Sequence, residues 1–121
     1  MSKKIVNFSL KTKESTTNNT STAIVGDKMI TFNDDDIIVK LTKTNDGIIM
    51  TRRSPEYELV LNFIENNNTK GTYYLKENDI TFGLDIYTSF LKIEEDLIHL
   101  IYIMNDEERE FKLNIGEWYS D

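Results

Sequence analysis

The stretch DLIHLIYIMNDEEREFKLNI, residues 96–115, decides the fold. From Leu97 to Met104 every position is apolar or aromatic except His99, the sole histidine of the chain. A membrane helix needs roughly 20 such residues in a row. An isolated helix this short would be unstable and bare on all sides. A strand suits the length, the isoleucines and the polar brackets at Asp96 and Asn105. Reading Asn105–Glu108 as a four-residue hairpin loop sets Met104 opposite Arg109, Tyr102 opposite Phe111, Leu100 opposite Leu113 and Ile98 opposite Ile115. Consecutive apolar pairs make one coherent buried face. A two-residue loop at Glu95-Asp96 extends it backward, with Ile93 opposite Ile98 and Leu91 opposite Leu100.

The other face follows from the same register. It pairs Ile103 with Glu110, Ile101 with Lys112 and His99 with Asn114, and places Lys92 beside His99. No carboxylate or nucleophile is aligned with the histidine, so no catalytic residue is expected there. Phe90, Ile101 and Ile103 also fall on this outer face. An exposed apolar patch needs cover. Either the C-terminal tail GEWYSD (116–121), with Trp118 and Tyr119, folds over it, or a second copy does. In the second case Phe90, Ile101 and Ile103 are the expected homodimer interface.

Composition agrees with strands. The 121 residues hold fifteen Ile and thirteen Thr but one Ala, a balance that favours a pleated surface over helices. Short alternating runs separated by turn residues fill the chain: 5–12, 23–25, 29–32, 37–42, 48–53, 57–64, 71–75, 80–93, 97–104 and 109–115. The tract KESTTNNTST (13–22) is either a flexible loop or the tip of a long hairpin turning at Asn18-Asn19. Gly83 marks a bulge or bend in the long run 80–93. Tight successive turns imply antiparallel neighbours. The expected fold is all-β, a single-domain antiparallel up-and-down barrel of about eight to ten strands over residues 1–121.

With 14 Lys and Arg against 21 Asp and Glu, the net charge is −7. That balance repels phosphate backbones and anionic lipid, so neither nucleic acid nor membrane is expected as a partner. There is no cysteine, hence no disulfide and no zinc–thiolate site. The start MSKKIVNFSLKTK lacks a sustained apolar core, so it does not read as a signal peptide and a cytoplasmic location is expected. The acidic clusters 34–36, 94–96 and 105–110 read as turns and charged guards beside an apolar strand. No metal ligand set or cofactor loop is visible.

One candidate site remains. Arg52-Arg53 ends a strand, and adjacent residues there face opposite ways, so one guanidinium points inward or over the barrel mouth. Arg53 with Tyr73 and Tyr102 is the expected ligand-binding set, suited to a small anionic or amphipathic ligand. The competing expectation is an ion pair with Glu56, Glu58 or an acidic turn. The large inward residues Phe8, Leu10, Leu91, Leu100, Tyr102 and Phe111 argue for a small or absent cavity. A side-chain-filled barrel acting as an interaction module or homodimer is therefore the alternative function.

Residues 50–93, MTRRSPEYELVLNFIENNNTKGTYYLKENDITFGLDIYTSFLKI, resemble the YwiB-like family of small bacterial proteins. The likeness rests on Arg53 at a strand end, the apolar strand Tyr57–Phe63, Gly71 and Tyr73, Gly83, Thr88, and the final FKLNI. With weaker similarity it spans about residues 5–115. This chain carries Pro55 where members often have glycine, and Ile80-Thr81-Phe82 where they have a Thr-Pro-Tyr type of approach. The resemblance implies a calycin-like, lipocalin-like barrel and no catalytic residue.

Overall fold

A computed structural model describes residues 2–118, and their side chains as far as Gly116. Ten strands follow one another: β1 (Ser2–Lys11), β2 (Thr16–Val25), β3 (Met29–Asp34), β4 (Ile37–Lys43), β5 (Ile48–Arg53), β6 (Tyr57–Phe63), β7 (Asn67–Leu75), β8 (Ile80–Ile93), β9 (Leu97–Met104) and β10 (Glu107–Trp118). Each pairs antiparallel with its sequence neighbour, and β1 also pairs with β10, closing the barrel. No helix among the described residues is long and apolar enough to cross a membrane.

Alternation builds the interior. Val6 and Phe8 of β1, Val39 and Leu41 of β4, Ile98, Leu100 and Tyr102 of β9, and Phe111 and Leu113 of β10 all point inward and are buried. Burying such a side chain contributes about 1.5–3 kcal/mol each. Leu10 and Leu91 pack against this core while keeping some exposure.

Several turns differ from the reading of the sequence; β7, for one, begins at Asn67 rather than at 71. The β9–β10 loop has two residues, not four. Met104 lies opposite Glu107, Leu100 opposite Phe111 and Ile98 opposite Leu113. Asn105 and Asp106 both have positive φ, 54° and 62°, which is what the tight two-residue turn of a twisted hairpin requires. The register moves by two residues, so every side chain keeps its face and only its partner changes. The first hairpin turns at Thr12–Ser15 rather than at Asn18-Asn19. The Thr12 hydroxyl accepts the N–H groups of Glu14 and Ser15, at 3.3 and 3.2 Å, and Thr16 onward joins β2. At the far end, residues 116–118 continue β10 beside β1 and do not turn back. Tyr119 and the rest of the expected lid lie outside the described residues.

A bulge sits at Ser89, not at Gly83. Thr88 lies opposite Tyr102, and Phe90 opposite Ile101. Without the extra residue, alternation from the buried Ile86 would drive Phe90 and Lys92 inward and expel Leu91 and Ile93. The bulge restores the apolar face. The Glu65 carboxylate accepts the Leu91 N–H beside it, at 2.9 Å.

The left-handed turn makes a prediction. Asp106→Gly is expected to raise the unfolding free energy by about 0.5–1 kcal/mol, measured by urea denaturation. A loss of stability would mean that Asp106 is not left-handed and that the longer loop is correct.

Candidate functional site

One end of the barrel is defined by the turns at 12–15, 35–36, 54–56, 76–79 and 105–106. It opens into a cavity of about 700 Å³. The interior beyond it is filled by buried side chains, and at this mouth the space is larger than the small or absent cavity expected. The reason is the last inward-facing layer, where arginines stand in place of aliphatic side chains beneath a projecting lip. The lip is made by β6, β7 and β8. Lys76 fastens it, donating from its backbone N–H to the Glu56 carbonyl (3.1 Å) and from its ammonium to the Ser54 carbonyl (2.8 Å). Tyr57 stacks on Tyr73 with ring centroids 5.4 Å apart. Phe82 lies 6.4 Å from Tyr73. Together with Leu59 and Leu84 they form an apolar wall of the cavity.

The polar floor has two arginines. On β5, Ile48 and Met50 are buried in the core, so the next residue of the same face, Arg52, also enters. Its side chain is 19% exposed and its Nη2 lies 3.0 Å from the Asp34 carboxylate. The same carboxylate accepts from Asn19 Nδ2 at 3.2 Å. Arg109 on β10 lies opposite Tyr102. Its Nη2 is 3.8 Å from Glu107, while its buried Nε has no hydrogen-bond partner. Burial pushes the Tyr102 phenol above its ordinary value near 10, and the Arg109 and Arg52 guanidiniums pull it back. The three polar heads thus sit close enough to feel one another. A buried guanidinium N–H without a partner is a costly arrangement, and an anion would relieve it.

Of the expected ligand residues, Tyr73 and Tyr102 line the cavity and Arg53 does not. Arg53 points out, is 61% exposed, and pairs with Glu58 at 3.4 Å. Strand parity excludes both arginines from one face, and the continuation of Ile48 and Met50 selects Arg52. That signal was present in the sequence, as was the inward parity of Arg109. Tyr57 and Phe82 carried no signal, because the lip that gathers them is a feature of strand length and not of pattern.

On the outer face, Phe90, Ile101 and Ile103 face outward as expected. Phe90 and Ile101 are half-buried, and Ile103 is 38% exposed. Phe90 sets an edge against His99, with ring centroids 5.0 Å apart. Lys92 lies opposite His99 as expected, but Lys112 stands where Asn114 was expected. The shifted register also brings Glu110 to the histidine, Nε2 to Oε2 2.5 Å. A carboxylate is therefore aligned with His99 after all, in a cross-strand surface pair. Among the described residues no group of three or more His, Cys, Asp or Glu side chains could hold a metal ion.

No protein-family model matches the chain. No curated protein matches it either. Among solved structures, the chain is similar to the YwiB protein from Bacillus subtilis, with a TM-score of 0.61 at 12% identity, covering 95% of this chain and 91% of that one. At that identity the likeness shows a shared barrel fold.

The buried phenol gives a pH prediction. The unfolded chain releases the Tyr102 proton near pH 10, whereas the folded chain holds it to a higher pH. The stability this group contributes is full below about pH 10 and falls as pH rises through the folded value. Tyr102→Phe should flatten that part of the alkaline decline in denaturation midpoints measured from pH 8 to 11. An identical decline in both proteins would show that Tyr102 titrates as an exposed phenol does.

Proposed function

We propose that this chain is a cytoplasmic binding protein of YwiB-like, calycin-type kinship that takes a small anionic, partly apolar ligand in the barrel mouth. The observation that carries the reading is Arg109, whose buried Nε lacks a partner at the floor of a cavity of about 700 Å³. Cavities of that size suit small molecules. The aromatic wall offers contact to an apolar body, and Arg109, Arg52 and Tyr102 offer donors to an anionic head. The kinship is supported by the barrel shared with YwiB over 95% of the chain. The cysteine-free composition suits a reducing compartment.

A filled barrel that dimerises through Phe90, Ile101 and Ile103 has less support. The mouth is open, and two of those three side chains are already half-covered within the chain.

Calorimetric titration of octanoate and octyl phosphate into the protein tests the reading. Arg109→Gln is expected to weaken binding by about tenfold or more, the worth of a charged hydrogen bond. Arg53→Gln is expected to leave it unchanged. No binding at millimolar ligand, or equal effects of the two substitutions, would contradict the assignment.

A further inference from the structure

Strand β8 outruns one of its neighbours. It pairs with β7 from Ile80 onward, but with β9 only from Ile86, opposite Met104. Among the described residues, the edge of Ile80–Asp85 on the β9 side therefore has no partner strand. Exposed edges are templates for another chain, and proteins commonly guard them with lysine, proline or a bulge. The segment ITFGLD has no lysine or proline, and its pairing with β7 runs without a bulge. Its one charge, Asp85, is engaged by Lys70 on β7.

Gly83 sits in the middle of this edge. A Cβ added there would meet nothing within 4 Å, and its φ is not positive. Neither packing nor backbone conformation within the chain requires glycine. A glycine inside a strand can mark a tight bend or the close approach of another backbone or a ligand. The edge also borders the cavity: Phe82, Gly83 and Leu84 line it together with Met104 and Arg109. On the concave side Ile80 and Phe82 are 44% and 48% exposed, unusual for large apolar side chains that share a face with the core.

We propose that a short extended peptide adds as a strand along Ile80–Asp85, sends alternate side chains into the mouth and delivers a carboxylate to Arg109. In this mode backbone hydrogen bonds supply affinity and pockets for alternate side chains supply selectivity. The charge is complementary: the chain is net −7, yet the cavity beside this edge presents a guanidinium whose Nε is unpartnered. The proposal rests on the anion-binding reading of the cavity and names the class of ligand that bears the anion. The carboxylate is either a side chain or a free C-terminus.

Calorimetry with the full chain separates the outcomes. The probes are an acetylated hexapeptide of alternating threonine and valine with a free C-terminal carboxylate, its C-terminal amide, the amide with one central glutamate, the free acid N-methylated at alternate residues, and octanoate. At least one carboxylate-bearing peptide is expected to bind, with the neutral amide and the N-methylated acid each weaker by about tenfold or more. Which of the two acidic peptides binds tells side chain from terminus. Hydrogen exchange at the Ile80–Asp85 amides is expected to slow on binding. An N-methylated peptide as tight as its parent, a neutral amide as tight as the acids, or unchanged exchange along the edge overturns the proposal. If octanoate binds in an Arg109-dependent way and no peptide does, strand addition fails while the cavity reading stands. If neither binds, both fail.

Discussion

Strand parity governs this molecule. In a closed ladder each side chain faces in or out by its place in an alternating series, and only a bulge can reset the series. The interior therefore depends on two registers, those of β8 with β9 and of β9 with β10. Together they place Leu91, Leu100, Tyr102 and Phe111 on one face. They also carry Arg109 into the mouth, two positions before Phe111 on the same face. The charged floor and the apolar core are thus consequences of a single constraint. A slip of one residue would bury Lys112 and expel Leu113.

The barrel is not uniform along its axis. One end is closed by buried apolar side chains, among them Ile30, Ile48, Phe63, Ile98 and Ile115. At the other the layer is completed by Arg52, Arg109 and Tyr102, groups that core packing alone does not favour. Asp34 offsets Arg52 and is itself held by Asn19 across a stretch where β2 and β3 share only two paired positions. Arg109 is less well compensated, with a single carboxylate at 3.8 Å. A polar network left partly satisfied in this way is a stability cost without a ligand and a source of affinity with one. The projecting lip of Tyr57, Tyr73 and Phe82 adds exposed apolar surface at the same place. On the proposed reading, the mouth is where stability is given up for binding.

Much of this was legible in the sequence because alternation is a strong signal. The ten strands and the inward placement of Phe8, Leu100, Tyr102 and Phe111 follow from it directly. Turn geometry was less legible. Asn105-Asp106 closes a tight turn without the glycine that usually marks one, and only the backbone reveals both residues as left-handed. The conflict of parity between Ile86 and Leu91 implies the Ser89 bulge, whereas Gly83 is the more visible break in the pattern. The buried Ile48 and Met50 fix the parity that sends Arg52, and not Arg53, inward. The lip, and with it Tyr57 and Phe82, depends on how far β8 extends past β9, which no pattern within one strand encodes.

The Nε–Hε signal of Arg109 in a nitrogen–proton NMR spectrum tests the proposed anion site most directly, since it reports the buried donor that has no partner within the protein. In the free protein it should appear as a distinct, slowly exchanging peak. Addition of a carboxylate ligand should shift it downfield while the Arg53 signal stays in place. An Arg109 signal that exchanges freely with water and does not respond to any anion would contradict the account.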